Sequence, residues 1–215
     1  MKIVLADDHR LMREGLRALL EKDGLTVVGE AVNGREAIAL ARSLRPDVVL
    51  MDISMPELNG IDATRALTAE LPQIRVIALS MNSDRRYVRA MFEAGAAGYL
   101  LKSAASGELV RAVRAVAQGQ KYVSPAIADV IIEGWVGQPH AQPTVPADRT
   151  LTSREREVLQ LLAEGCSSKE IASRLDIALP TVETHRRQIT AKTGLRSIAE
   201  LTKFAIREGL TTLGN

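Results

Sequence analysis

Asp7, Asp8, Asp52, Ser80 and Lys102 are the residues of this sequence that could do chemistry as a set. Each stands at or just after the end of a short apolar run. "KIVLA" leads to Asp7 and Asp8, "DVVLM" to Asp52, "IRVIALS" ends on Ser80, and "AAGYLLK" ends on Lys102. Taken singly, an aspartate at such an end is an ordinary turn or N-cap residue, and a lone serine or lysine says less. Three carboxylates, one hydroxyl and one ammonium on a common rim would say more. Crowded carboxylates repel one another and resist ionisation, a conflict that a divalent cation removes. Mg2+ suits such a rim, because it takes one or two carboxylates together with water and phosphate oxygens. A carboxylate can also be a nucleophile that forms an aspartyl phosphate. Lys102 would then meet the phosphoryl oxygens as a point charge, and Ser80 would donate a hydrogen bond to one of them.

The elements that must position this set are strands alternating with helices. "KIVLA", "LTVVGEA", "DVVLM", "IRVIALS" and "AAGYLLK" are the strands. Between them lie helical patterns such as Leu11, Gly15, Leu16, Leu19 and Leu20, or Ala37, Ile38, Leu40, Ala41 and Leu44. Uninterrupted apolar runs mean strands buried on both faces, which argues for a five-stranded, doubly wound parallel sheet over residues 1–117. In open sheets of this kind ligands bind beyond the carboxyl ends of the strands. That is the edge at which all the candidate residues would arrive.

Residues 118–147 read as a linker. "SPAIADVIIEGW" allows one short helix, with Trp135 anchoring it on one domain, and "GQPHAQPTVPAD" is rich in Pro, Gly and polar residues. Residues 148–215 read as all-α with four helices. The first, "LTSREREVLQLLAEG", opens with Thr152 and Glu155 in capping-box spacing. "SSKEIASRL" turns Ile171, Ala172 and Leu175 inward. "PTVETHRRQITAKTG" is the third helix. "SIAELTKFAIREG" is the fourth, with Ser197 and Glu200 again in capping-box spacing. The second and third helices, joined by "DIAL", have the layout of a helix-turn-helix, whose second helix enters the major groove by its N-terminal part. Arg186, Arg187, Lys192 and Arg196 cluster in or just after that helix and would attract phosphates. A cationic helix face alone is ordinary solvated surface, so the layout gives the cluster its meaning.

The 215 residues suffice for one large or two small domains, and the aromatic content of 3% makes the cores aliphatic. A formal net charge of +2 points to no partner. A single cysteine, Cys166, excludes an internal disulfide, fits a reducing cytoplasm and packs as a small hydrophobe. "MKIVLADDHR" is no signal peptide, and no apolar stretch approaches the length of a membrane span. The expectation is a soluble cytoplasmic protein with no membrane partner. His9, His140 and His185 are too scattered to form a metal site.

"ADDHRLMREGL", "VVLMDISMPELNGIDA", "VIALS" and "GYLLKSA" together resemble the receiver domain of two-component response regulators, over residues 1 to about 117. The resemblance implies a flavodoxin-like fold and phosphate transfer to Asp52 from a sensor histidine kinase. It implies that Asp8 and Asp52 ligate Mg2+, that Asp7 acts mainly through water, and that the main-chain carbonyl of Ser54 completes the protein ligands. Ser80 and Tyr99 match the hydroxyl and aromatic switch positions, and Pro56 and Gly60 match the loop after the acceptor. Three departures, Ser54, Met81 and Asn82, flank the route of attacking water and bear on the lifetime of the phosphoryl group.

"LTSREREVLQLLAEGCSSKEIASRLDIALPTVETHRRQITAKTGLRSIAELTKFA" resembles a LuxR-type DNA-binding domain, and the pair of domains resembles the NarL/FixJ arrangement of transcription regulators. By that resemblance Glu183, Thr184 and Arg187 face base edges. Thr181, His185, Arg186, Lys192 and Arg196 lie nearer phosphates, and Val182 and Ile189 face the core. The last helix, with Ile198, Leu201, Thr202 and Ala205, is the dimer contact on DNA. Ala178 stands where the family has a serine, so the reading helix lacks an N-cap hydroxyl. The implied partners are the kinase, double-stranded promoter DNA, a second copy of the chain, and RNA polymerase. A hydrolase that uses an aspartyl phosphate is a competing reading, but such enzymes place a second acid two residues after the nucleophile, where Ser54 stands. The reading is therefore a regulator and not an enzyme. A degenerate receiver is disfavoured by the intact acid, hydroxyl and lysine set.

Overall fold

The apolar runs form the centre of a parallel sheet. The computed structural model describes residues 1–81, 83–104, 106–128 and 151–211, and the chain divides into two compact units. The first unit runs β1 (Lys2–Ala6), α1 (Arg10–Lys22), β2 (Thr26–Ala31), α2 (Gly34–Leu44), β3 (Val48–Asp52), α3 (Gly60–Glu70), β4 (Arg75–Ser80), α4 (Arg85–Glu93), β5 (Gly98–Leu101), α5 (Ser106–Ala117) and β6 (Tyr122–Val123). The strand order is β2-β1-β3-β4-β5-β6, and every neighbouring pair is parallel.

Alternate residues of each strand serve opposite faces. Ile3, Leu5, Val48, Leu50, Ile77 and Leu79 pack with Leu20 of α1 and with Val110, Val113 and Val116 of α5. Val4, Val49, Met51, Val76 and Ala78 pack with Ala37, Ile61, Leu67 and Met91 from α2, α3 and α4. With helices on both faces, neither set of side chains can be polar, which is why the strands read as continuous apolar runs. Leu11 departs from its expected pattern: in the first turn of α1 it is 84% exposed.

The five expected strands gain a sixth. Tyr122 and Val123 pair with Gly98 and Tyr99 of β5. Residues 125–128 are helical, and Ile127 is fully buried in the same core as Tyr99. These residues fall in the span read as linker, and a two-residue strand leaves no periodicity to find. Trp135 and the remainder of the expected linker helix lie outside the described residues, as does His140.

The second unit comprises α6 (Ser153–Ala163), α7 (Ser168–Leu175), α8 (Leu179–Thr193) and α9 (Ile198–Arg207). Both expected capping boxes form, and Ser167 with Glu170 makes a third at the start of α7. Gly194, at φ 74°, ends α8 in the left-handed conformation that glycine adopts most easily. Val158, Leu159, Leu162, Ile171, Leu175, Val182, Ile189, Leu201 and Ala205 form one core, against which Cys166 packs.

Candidate functional site

The sheet order decides where the candidate residues meet. β1 and β3 are neighbours, and the winding reverses between them, which is where ligands enter open sheets. Asp7 follows β1, and its amide donates to the Ala31 carbonyl at 3.1 Å. Asp52 ends β3 opposite Leu79. Ser80 ends β4 opposite Leu101, and the Lys102 amide donates to the Ser80 carbonyl at 2.7 Å. The carboxylates of Asp7, Asp8 and Asp52 and the imidazole of His9 each place one ligand atom within 4.8 Å of the others.

Asp7 and Asp52 are 1% and 3% exposed, whereas Asp8 and His9 stand on the solvent side. The ammonium of Lys102 lies 2.7 Å from Asp7 Oδ2 and 2.8 Å from Asp52 Oδ2. One buried cation therefore serves two buried anions. Burial pushes the Asp52 carboxyl up to about 6; Lys102 opposes the rise and Asp7 adds to it. Burial acts on Lys102 in the lowering direction, but Asp52 and Asp7 hold it above the ordinary lysine value. The three histidines are too scattered to form a metal site together, but His9 stands beside the acids. Its Nδ1 in fact lies 2.8 Å from Asp8 Oδ1, and its adjacency to the acid pair was the available signal.

The rim continues through Ser80 and Tyr99. Ser80 is buried and Tyr99 is fully buried. Burial pushes the tyrosine hydroxyl up to about 12, and a hydrogen bond with the Ser80 hydroxyl partly offsets this. The amide of Ser54 lies 3.4 Å from Asp52 Oδ1. Beyond it the loop turns sharply at Glu57, with φ 65°, and the Leu58 amide donates to the Pro56 carbonyl at 2.7 Å. Gly60 lets this loop close on β3, since a Cβ there would sit 1.9 Å from the Asp52 carbonyl oxygen. Met81 is 79% exposed at the rim, and Asn82 lies outside the described residues.

On the second unit, Glu183, Thr184 and Arg187 are exposed on α8. The Thr184 hydroxyl donates to the Pro180 carbonyl at 2.9 Å, and Arg187 donates to Thr184 Oγ1 at 3.2 Å. Thr181 and Arg196 are also exposed. Arg186 is half-buried and donates to Ser168 Oγ at 2.8 Å, tying α8 to the start of α7. His185 is half-buried, with its Nδ1 out of reach of water.

Two groups of expected contact residues are engaged inside the fold. Lys192, expected near a phosphate, is held within its own unit. Its ammonium pairs with Glu155 Oε2 at 2.7 Å, and the two side chains are 22% and 3% exposed. Glu155 also accepts the Thr152 amide at 2.7 Å, so the pair joins the end of α8 to the cap of α6. Leu201 and Ala205 are 6% and 0% exposed and belong to the core of their own unit. On α9 only Ile198, 49% exposed, and the half-buried Thr202 remain from the expected dimer contact.

Residues 3–114 match the response regulator receiver domain, and residues 149–205 match the bacterial regulatory proteins of the luxR family. The chain belongs to the two-component response regulators with a LuxR-type DNA-binding domain. This response regulator is 39% identical to the transcriptional regulatory protein MctR of Rhizobium johnstonii over 213 residues, 99% of this chain and 96% of that one. It is 37% identical to the response regulator GacA of Pseudomonas aeruginosa, covering 98% of this chain and 97% of the relative. Among solved structures, RcsB from Salmonella enterica serovar Typhimurium, bound to promoter P1flhDC in the presence of the phosphomimetic BeF3-, superposes with a TM-score of 0.60 at 26% identity, over 98% of this chain and 99% of that one. The family is one of transcription regulators and not of enzymes. Among the described residues, no helix is long and apolar enough to cross a membrane.

Proposed function

We propose that this response regulator takes a phosphoryl group on Asp52 and in that state binds promoter DNA as a dimer. The observation that supports it most is the shared lysine: Lys102 reaches both Asp7 and Asp52 within 2.8 Å at a buried rim. An excess of buried negative charge is poorly stabilised unless a further positive group arrives. The donor is a sensor histidine kinase. An Asp52 carboxylate oxygen bonds to phosphorus as the bond from phosphorus to the donor nitrogen breaks. Lys102 and Ser80 receive the phosphoryl oxygens. Asp7, Asp8, Asp52 and the Ser54 main chain would hold Mg2+, to which an all-oxygen, mostly carboxylate set is suited; the ion would supply charge neutralisation for acids and phosphoryl oxygens alike.

Tyr99 is the switch residue. Its hydrogen bond with Ser80 links it to the group that a phosphoryl oxygen would claim. Residues 1–117 are the receiver domain, to which β6 and the residues up to 128 add; residues 148–215 are the DNA-binding domain, and the linker lies between the two. Glu183, Thr184 and Arg187 read base edges; Thr181, His185, Arg186 and Arg196 face phosphates. Ile198 and Thr202 supply the contact between two copies on DNA. RNA polymerase is a further partner at promoters, and the protein works in the cytoplasm.

Incubation with a small phosphodonor and Mg2+, followed by intact mass, tests the acceptor. The wild-type chain gains one phosphoryl mass, Asp52→Asn gains none, and chelation of Mg2+ abolishes the gain. An Asp52→Asn chain that is still phosphorylated would refute the assignment.

A further inference from the structure

We infer that Arg13 is a positioning residue for the cation-holding acids and acts through the main chain of Asp7. The inference rests on the proposed role of Asp7, Asp8 and Asp52 as the Mg2+ site. Arg13 lies in α1, and its side chain is 11% exposed. One guanidinium nitrogen donates to the main-chain carbonyl of Asp7 at 2.7 Å, and Nε donates to Glu30 of β2 at 3.1 Å. Arg17 holds the other oxygen of Glu30 at 2.6 Å, and its remaining bonds go to Glu21 and the Val27 carbonyl. Burial acts to raise the Glu30 carboxyl, but Arg17 and Arg13 hold it below the ordinary glutamate value, so it is a charged anchor.

The peptide between Asp7 and Asp8 carries two acids with different tasks. The Asp7 carboxylate turns inward to Lys102, while Asp8 stays on the solvent side and still reaches the same cluster. The Asp7 amide is fixed by the Ala31 carbonyl, and Asp7 Oδ1 accepts the His9 amide at 2.9 Å. Those bonds hold Asp7 on either side of the peptide that joins it to Asp8; on that peptide itself Arg13 grips the Asp7 carbonyl. Rotation of the peptide would swing Asp8 away from Asp52. Arg13 therefore presents the acids to the cation already spaced. It touches neither the cation nor the phosphoryl group.

Arg17 supplies an internal control, because it shares Glu30 with Arg13 while its other bonds run elsewhere. The experiment is a Mg2+ titration of the full-length chain, followed by amide NMR shifts of the rim residues. Groups that orient metal ligands are typically worth about 10–100-fold in metal affinity, so Arg13→Met is expected to weaken Mg2+ binding about tenfold. Arg13→Lys, whose ammonium can still reach the carbonyl, recovers most of that loss. Arg17→Met lowers the urea midpoint but leaves the Mg2+ affinity at the wild-type value. Wild-type Mg2+ affinity in Arg13→Met, or an equal loss in Arg17→Met, overturns the inference. Should Arg13→Met fail to fold, Glu30→Gln loosens Arg13 without removing it and should weaken Mg2+ in the same direction; no change there overturns the inference too. Asp8→Asn separates the two layers. If it titrates like the wild type, the cation site itself is wrong; if it loses Mg2+ while Arg13→Met does not, only the role of Arg13 falls.

Discussion

Lys102 and Lys192 are both largely buried and both pair with carboxylates, yet they do different work. Lys102 stands between two buried acids, Asp7 and Asp52, at the open edge of the sheet. Lys192 meets Glu155 between two helices, and Glu155 is also fixed as the cap of α6. The surroundings respond accordingly. Asp52 is pushed up to about 6, mainly by burial that one shared ammonium cannot offset. Burial also acts to raise Glu155, but Lys192 and the Thr152 cap hold it below the ordinary glutamate value. Matched charge makes a structural joint. Unmatched charge makes the site proposed to take a cation and a phosphoryl group.

The comparison is most sharply tested at Lys192. Lys192→Met removes one partner of a largely buried pair, which costs about 3–5 kcal/mol when burial is complete; with Lys192 22% exposed, the low end is expected. The urea midpoint of residues 148–215 should fall accordingly, while the salt dependence of DNA binding stays unchanged. A stable variant whose salt slope drops by about one unit would make Lys192 a phosphate contact after all.

The unmatched side is tested by pH. In the folded chain Asp52 holds its proton up to about pH 6, above the ordinary value of 3.8. A raised carboxyl favours the folded state at low pH, and that contribution is lost as pH rises from near 4 through 6. Without Mg2+, Asp52→Asn should therefore match the wild type near pH 4 and gain on it up to about pH 6. The gain should plateau at up to about 3 kcal/mol, at about 1.4 kcal/mol per pK unit. An advantage independent of pH would contradict the buried, undercompensated carboxylate.

Glu183, Thr184 and Arg187, the proposed reading face, are exposed. Arg187→Ala should leave stability nearly unchanged and flatten the preference at one base pair in each half-site, by about 1–3 kcal/mol. An unchanged ranking of single-base operator mutants would mean that Glu183, Thr184 and Arg187 are not the reading set. The smallest effect is expected at Ala178, the N-cap of α8, which makes no side-chain cap, unlike Thr152, Ser167 and Ser197. Ala178→Ser should stabilise residues 148–215 by about 0.5–2 kcal/mol, seen as a rise in the urea midpoint. No rise would mean that Leu179 and Pro180 already fix the helix start.

The sheet edge was legible because each apolar run announces its own end, and the end carries the candidate residue. Asp7, Asp8, Asp52, Ser80 and Lys102 could be placed by strand order alone. Lys192 could not, because its partner lies 37 residues earlier on another helix. It read as one more cation beside Arg186 and Arg187. Leu201 and Ala205 share a helix with the exposed Ile198, and spacing alone did not say which apolar stripe faces the core. Nothing in the sequence marks Arg13, since neither Glu30 nor the Asp7 carbonyl is its neighbour on α1.

The central claim is that chemistry at the unmatched pocket controls DNA binding by the second domain. The direct measurement is the affinity of the full-length chain for a DNA site selected from a random pool, before and after treatment with a phosphodonor and Mg2+ at one protein concentration. Coupling of ordinary size, about 1–3 kcal/mol, tightens binding roughly 5–150-fold in the wild type and leaves Asp52→Asn unaffected. Equal affinities for the phosphorylated and unphosphorylated wild type, or equal tightening in Asp52→Asn, would contradict it.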